Sequence, residues 1–226
     1  MGGIGTLRET GLHAGLKAYY AQPGDALEAK LDGYVIDILR GDQIIEIQTH
    51  NFAAMRRKLR KLTETHPVHL IHPVAVERWI VRLAPDGQKV TSRRKSPRRG
   101  SALQVFSELV SFPELLDNPN FTLEVALVRE EEVRQTDRTV RRRWGRDWRV
   151  SDRRLVEVVD TLTLTCPVDC GQFRPAALAQ PFMTSDLARA LKQPPWLAQK
   201  MAYCLRRMGA LEAVGKQGRA ITYVWP

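Results

Sequence analysis

The chain has 226 residues, of which 43% are hydrophobic and 27% are charged, and its formal net charge is +10. This composition is typical of a globular protein with a buried core, and no apolar run approaches the roughly 18 residues that a membrane-spanning helix needs. The N-terminus lacks the basic and then apolar pattern of a secretory signal, so we expect a cytoplasmic protein without a membrane partner.

The basic residues are concentrated toward the C-terminus. Residues 1–77 contain nine basic and nine acidic residues, whereas residues 173–226 contain eight basic and two acidic ones. This asymmetry predicts a neutral core followed by segments that hold a polyanion, and DNA is the expected partner. The alternative is that the basic residues only keep the protein in solution.

A first helix is predicted over residues 6–21, because leucines recur at helical spacing until Gln22-Pro23-Gly24 interrupts the pattern. Its polar side carries Glu9. Glu9 is a candidate catalytic residue, and the alternative is that it caps the helix or forms a surface salt bridge.

Residues 27–49 are predicted to form three short antiparallel strands. Apolar and polar residues alternate along this stretch, and Asp32-Gly33 and Gly41-Asp42 interrupt the alternation as two-residue turns do. Because successive side chains point to opposite faces of a strand, such turns fix which residues face each other across each hairpin. The register therefore decides which polar side chains share one face of the sheet.

Three carboxylates fall in one row in that register. Counting outward from the turns puts Glu28 opposite Asp37 and Asp37 opposite Glu46, with neighbouring side chains about 5 Å apart. Like charges directly opposite one another are destabilising, so a cation is expected to hold the row. The same face carries Gln48 and, one row away, Lys30. The alternative is that the acids are ordinary solvent-side charges on a half-exposed sheet.

A second helix is predicted over residues 51–63, and a buried strand over residues 67–76 is expected to return parallel to the sheet. Five cations are predicted to lie on the exposed side of this helix: Arg56, Arg57, Lys58, Arg60 and Lys61. We expect Arg56 and Arg57 to bind DNA phosphates, and the alternative is a solvated charged face.

This order of elements, with Asp37 on the second strand and Glu46-Ile47-Gln48 on the third, resembles the PD-(D/E)XK nuclease superfamily of restriction enzymes and Holliday-junction resolvases. The resemblance covers about residues 5–76. It implies an α/β fold, a restriction-endonuclease-like αβββαβ core with a mixed sheet, in which acids bind Mg²⁺ or Mn²⁺. Gln48 stands where the superfamily has lysine, and it can orient a water but carries no positive charge.

A carboxylate-bound Mg²⁺ can neutralise a phosphodiester and generate hydroxide near pH 7. The predicted metal ligands are Asp37, Glu46 and Glu28. The full set of catalytic candidates is Asp37, Glu46, Gln48, Glu28, Glu9 and Lys30, with Lys30 as a displaced lysine. Two functions stay open: a Mg²⁺-dependent deoxyribonuclease, or a non-catalytic DNA-binding or regulatory protein on a nuclease-like scaffold.

A β-rich basic extension is expected beyond the core. Residues 78–95 are predicted to form a hairpin that turns at Pro85-Asp86-Gly87, and Arg93 and Arg94 are candidate DNA ligands. Residues 134–154 contain nine arginines and three aspartates and predict a DNA-binding arm. The candidates on this arm are Arg141, Arg142, Arg143, Trp144 and Trp148. The alternative is a hairpin whose tryptophans are buried, and a helix capped by Ser151 is predicted to follow.

The C-terminal segment resembles a winged helix-turn-helix. Thr184-Ser185-Asp186 is predicted to cap a short helix, a longer helix follows over residues 196–208, and two strands pair across residues 215–218. The resemblance implies DNA contacts from Gln199, Lys200, Arg206, Arg207, Lys216 and Arg219. Winged helices also serve as protein-protein or dimerisation modules, which is the alternative. The predicted domains are residues 1–172 and 173–226, and a homodimer would suit cleavage of two strands.

Overall fold

The computed structural model describes residues 10–136 and 148–226. It confirms a mixed α/β protein whose main sheet contains both parallel and antiparallel strands. The described residues form two compact units. The first contains residues 10–24, 73–101, 126–136 and 148–161, and the second contains residues 25–72, 102–125 and 162–226. The division of the sequence into domains at residue 172 stays a prediction.

Helices and strands are interspersed along the described residues. The helices are α1 (Gly11–Tyr20), α2 (Arg56–Leu62), α3 (Phe106–Leu109), α4 (Thr184–Leu191) and α5 (Pro195–Arg207). The main sheet contains β1 (Ala26–Leu31), β2 (Tyr34–Arg40), β3 (Gln43–Ile47), β4 (Val68–Leu83), β5 (Val90–Lys95), β6 (Phe121–Thr136) and β7 (Trp148–Leu164). A smaller sheet contains β8 (Phe182–Met183), β9 (Glu212–Gln217) and β10 (Ala220–Val224).

The second unit contains the three strands predicted over residues 27–49. β1, β2 and β3 are joined by the two expected turns, with Leu31 opposite Tyr34 and Arg40 opposite Gln43. Gly33 has φ of +80°, a left-handed conformation that glycine adopts without steric cost. The predicted register of both hairpins is therefore confirmed at the turns.

β3 is joined to β4 through α2, and the two strands run parallel, as predicted. A short 3₁₀ turn, Phe52–Met55, leads into α2, whose Leu59 and Leu62 are fully buried. Phe52 stacks on Phe112 at a ring-centroid distance of 5.2 Å. This aromatic contact fixes the start of the crossover beside the sheet.

The first unit contains the long hairpin formed by the end of β4 and by β5, which turns where the sequence predicts, at residues 84–89. α1 lies against β7 so closely that a Cβ on Gly15 would approach the Cβ of Leu155 to 2.8 Å. The helix predicted after Ser151 is wrong, because residues 148–164 form β7. This segment is rich in valine and threonine, which favour strands, and it lies next to β6 in the sheet.

The C-terminal module, residues 182–225, contains α4, α5 and the three-stranded sheet in the order β8-β10-β9. The side chain of Asp186 accepts a hydrogen bond from the Met183 backbone N–H at 3.0 Å and so caps α4. α5 ends before Gly209, which has φ of +75°. No helix in residues 10–136 or 148–226 is long and apolar enough to cross a membrane.

Candidate active site

Asp37 and Glu46 lie side by side on β2 and β3 of the second unit. The last regular pair of the ladder next to them is Ile38 opposite Ile45. The Asp37 carboxylate accepts a hydrogen bond from the Ile47 backbone N–H at 2.8 Å, and the Asp37 backbone N–H in turn donates to the Glu46 carboxylate. The two acids are therefore linked through the strands that carry them.

Glu46 is buried, with only 3% of its surface exposed. Burial raises the pKa of its carboxyl group from 4.5 to about 7, with a further increase from the negative charge of Asp37. The positive charge of Lys58 acts in the opposite direction. Glu46 is thus not a solvent-side charge, because the protein holds it in a place where ionisation is costly.

The cation that compensates Glu46 is Lys58, which the sequence interpretation placed on the exposed side of α2. Its Nζ atom donates to Glu46 Oε1 at 2.6 Å and to the backbone carbonyl of Val35 at 2.5 Å. The lysine side chain is 15% exposed. Lys58 lies four residues before the buried Leu62, so it is at the border of the buried face, and this is the sequence signal that could have identified it.

The other catalytic candidates do not join this pair. The Gln48 side chain donates to the backbone carbonyl of Asn51 at 3.3 Å. Glu28 is exposed and has φ of +51°, and the β1–β2 ladder is interrupted at its position. Lys30 of β1 is also exposed and lies opposite Val35 of β2. Glu9 lies outside the described residues.

His72 supports the end of β3 from β4. Its Nδ1 atom is 2.7 Å from the Gln48 backbone carbonyl, and because a carbonyl only accepts, Nδ1 donates. Burial lowers the pKa of His72, which keeps the ring neutral. His69 points elsewhere and contacts Glu124 at 2.9 Å. The histidines of β4 therefore act in different surroundings and not as one cluster.

The donor set at Asp37 and Glu46 suits Mg²⁺ better than a metal that needs a complete protein cage. In residues 10–136 and 148–226 no three histidine, cysteine, aspartate or glutamate side chains are grouped to hold a metal ion. Mg²⁺ is usually bound by one or two carboxylates, with waters and substrate phosphate oxygens filling the other positions. Two adjacent carboxylates fit that pattern, and Glu28 adds no third ligand.

The basic residues of α2 other than Lys58 face a concave surface with Tyr34 and Asp32. Arg56 donates to the Ser111 backbone carbonyl at 2.5 Å. Two neighbours form salt bridges, Arg60 with Glu114 and Lys61 with Glu64. Arg57 is exposed and has no salt bridge within the part of the chain that the structure describes.

In the first unit, two of the three candidate DNA ligands that the structure describes, Arg93 and Trp148, contact other side chains. Arg93 forms a salt bridge with Glu131 at 2.8 Å and lies 5.0 Å from the ring centre of Trp79. Arg94 is exposed on β5. The guanidinium carbon of Arg134 lies over the ring of Trp148, 3.6 Å from the ring centre. The remaining arm candidates lie outside the described residues: Arg141, Arg142, Arg143 and Trp144.

Four of the six DNA-binding candidates of the C-terminal module line one concavity, which we call the arginine pocket. It lies between α5 and the β9–β10 hairpin, and its polar lining includes Gln199, Arg206, Arg207, Arg219, Tyr203 and Tyr223. Lys216 is exposed on β9. Lys200 is directed away, since its Nζ atom donates to the Ser107 backbone carbonyl at 2.9 Å.

Comparison with known proteins gives a family but no activity. A family model described as a domain of unknown function, DUF8091, matches residues 10–165. A protein of Treponema pallidum (strain Nichols), described as an uncharacterized protein, is 33% identical over 187 residues, which cover 82% of this chain and 74% of the relative. No solved structure matches the chain.

Proposed function

The chain belongs to the DUF8091 family, and we propose that the region shared with that family is a metal-dependent deoxyribonuclease. The observation that carries the proposal is the adjacency of Asp37 and Glu46 with the ammonium of Lys58 at 2.6 Å from Glu46. This combination of two acids and one lysine is what the resemblance to the PD-(D/E)XK superfamily implies. The lysine comes from α2 and not from the position of Gln48.

Each residue has a distinct role in the proposed reaction. Asp37 and Glu46 would hold Mg²⁺ or Mn²⁺, which when bound acts as a Lewis acid and lowers the pKa of a coordinated water. Lys58 lowers the cost of ionising the buried Glu46, because its positive charge opposes the rise in pKa. It also supplies the positive charge near the site that Gln48 cannot carry.

DNA is the proposed substrate, and the arginine pocket and Arg57 are the proposed phosphate contacts. We propose a cytoplasmic enzyme, and a homodimer if both strands of a duplex are cut. The C-terminal module, with its helix, turn, helix and hairpin in order, is proposed as a winged helix that positions DNA.

A second candidate is a non-catalytic DNA-binding or regulatory protein on the same scaffold. The specific observation that favours it is the Glu46–Lys58 salt bridge, which already compensates the buried carboxylate without a metal. The amide of Gln48 is also occupied by Asn51 and not directed at the two acids.

A cleavage assay separates the two candidates. The purified chain would be incubated with supercoiled, linear, single-stranded and branched DNA in Mg²⁺ or Mn²⁺, with EDTA as the metal-free arm. Asp37→Asn and Glu46→Gln should each lower the cleavage rate by roughly 1000-fold and leave DNA affinity unchanged, because a metal contributes several kcal/mol to the transition state. Asp42→Asn, an exposed acid of the same hairpin, is the matched control. Binding without cleavage of any DNA form would support the second candidate.

A further inference from the structure

The arginines that line the arginine pocket lack acidic partners among the described residues. None of the residues that line it is an aspartate or a glutamate. Within the described part of the chain, Arg206, Arg207 and Arg219 have no salt bridge and no side-chain hydrogen bond. The α2 surface differs, because Arg60 and Lys61 are neutralised there by glutamates.

The pocket follows from the local sequence of α5. Apolar residues of this helix are buried on one side, among them Leu197, Met201 and Leu205. The opposite side carries Gln199 at the start, Tyr203 four residues later, and then Arg206 and Arg207, so these side chains share one face. This spacing predicts a continuous polar strip along the helix.

The β9–β10 hairpin provides the opposite wall. Its turn is made by Gly218, which has φ of +61°, and Arg219 follows directly. Tyr223 on β10 is 8% exposed, so only a small part of its side chain reaches the surface of the concavity. Arginines therefore lie on both walls of the same pocket.

We propose that the arginine pocket binds a single strand of DNA, with one phosphate between the arginines and the adjacent base on Tyr203. Guanidinium groups bind phosphate through two parallel hydrogen bonds, and aromatic rings stack on any base. Tyr203 is 49% exposed, as a stacking platform requires. The choice of DNA as the ligand rests on the proposed function.

The shape of the site favours one strand over a duplex. A helix that reads duplex DNA projects its side chains outward into the major groove. Here the cations of α5 and of the hairpin face a shared concavity, which a single sugar-phosphate chain can enter. Lys200, which the winged-helix resemblance assigns to DNA, instead donates to Ser107. The inferred ligand is therefore an unpaired strand, such as the displaced end of a DNA substrate.

The test is fluorescence anisotropy with a labelled 20-nucleotide single strand and the corresponding duplex, in EDTA so that no cleavage occurs. The wild-type chain should bind the single strand more tightly. Arg206→Ala/Arg219→Ala should weaken single-strand binding by about tenfold or more and lower the slope of log affinity against log salt by about 0.7, as loss of one phosphate contact on a single strand does. Tyr203→Ala should weaken binding by about tenfold without changing that slope.

Arg189→Ala is the matched control, because Arg189 lies on α4 of the same module, has an 80% exposed side chain and does not line the pocket. It should bind like the wild type. Equal or tighter binding of the duplex, or unchanged single-strand binding by the double variant, would overturn the inference. Because DNA binding is measured without metal, the outcome of this test does not depend on whether the chain is a nuclease. Cleavage by the Arg206→Ala/Arg219→Ala variant would be measured in a separate assay with metal.

Discussion

The candidate active site and the arginine pocket treat charge in opposite ways. Glu46 is buried and is compensated by Lys58 of the same chain, whereas three arginines of the pocket are exposed and uncompensated by any described residue. A buried charge without a partner would cost several kcal/mol, but an exposed cation is stabilised by water until an anion arrives. The Glu46–Lys58 pair is therefore in place before any ligand binds, whereas the exposed arginines are available to bind an anion.

The largest expected effect comes from removing the internal compensation with Lys58→Met. The substitution leaves Glu46 buried beside Asp37 without its cation, so we expect a loss of about 3 kcal/mol in unfolding free energy at pH 8 and loss of cleavage. Urea denaturation measures the first quantity. The double variant Lys58→Met/Glu46→Leu replaces the pair by apolar side chains and should recover stability but not cleavage. A single variant as stable as the wild type would contradict this account of the pair.

A pH titration of stability tests the burial of Glu46. Its pKa is about 7 in the folded chain against 4.5 as the ordinary value, so the folded state binds the proton more tightly. The resulting stabilisation is fully present below pH 4.5 and is lost as pH rises toward 7, by an amount on the order of 3 kcal/mol. The unfolding free energy of the wild type minus that of Glu46→Gln, measured without metal, should fall over this range. Parallel curves would show that the carboxyl group is not buried in solution.

Two basic residues of α5, Lys200 and Arg207, are expected to differ, because one supports the fold and the other is proposed to bind DNA. Arg207→Ala should weaken DNA binding similarly for all sequences and lower the slope of log affinity against log salt by about 0.7 to 0.9, as loss of one phosphate contact does.

Lys200→Met should instead lower the unfolding free energy by about 1 kcal/mol, since it removes a hydrogen bond to Ser107, and leave DNA affinity unchanged. If the slope of log affinity against log salt also falls in the Lys200→Met variant, then Lys200 contacts DNA and this account of its role is wrong.

The smallest effect is expected on the α2 surface, where glutamates already neutralise Arg60 and Lys61. The Lys61 and Glu64 side chains are 59% and 58% exposed, and surface pairs of this kind contribute little. Lys61→Ala should change the unfolding free energy by less than about 0.5 kcal/mol in thermal or urea unfolding. A larger loss would mean that the pair has a role in the fold that its exposure does not indicate.

The sheet around Asp37 and Glu46 was predictable because turns constrain strands. Asp32-Gly33 and Gly41-Asp42 mark two-residue loops, and such loops leave one register, which is the one that the structure has at both turns. The parallel return of β4 was predictable for a similar reason, since a helical crossover joins parallel strands.

Side-chain direction within that frame was not predictable. The register alone cannot show that Glu28 adopts a left-handed backbone and leaves the row. Composition did not distinguish Lys58 from four neighbouring cations. Its spacing from Leu62 marks it as a residue at the border of the buried face, but its contact with Glu46 depends on packing between α2 and β3. Lys200 was assigned to DNA because its partner, Ser107, is distant in the sequence, so the sequence does not show that the two residues meet.

The strand β7 illustrates a second limit. Residues 151–161 contain charged residues at spacings that also suit a helix, and Ser151 is a good cap, but three of the four apolar residues are valines, which favour strands. Pairing with β6 decides between the two conformations, and that pairing is a tertiary contact.

Lys58 has one further property, which concerns direction more than charge. A lysine ammonium has three N–H donors arranged tetrahedrally, and contacts with Val35 and Glu46 account for two of them. Two fixed contacts locate the nitrogen and leave little rotational freedom, so the direction of the third N–H is set by the fold. The Lys58 ammonium is therefore held in a fixed orientation by a strand carbonyl and a carboxylate. Its third N–H can donate a hydrogen bond to an oxygen atom only in one direction.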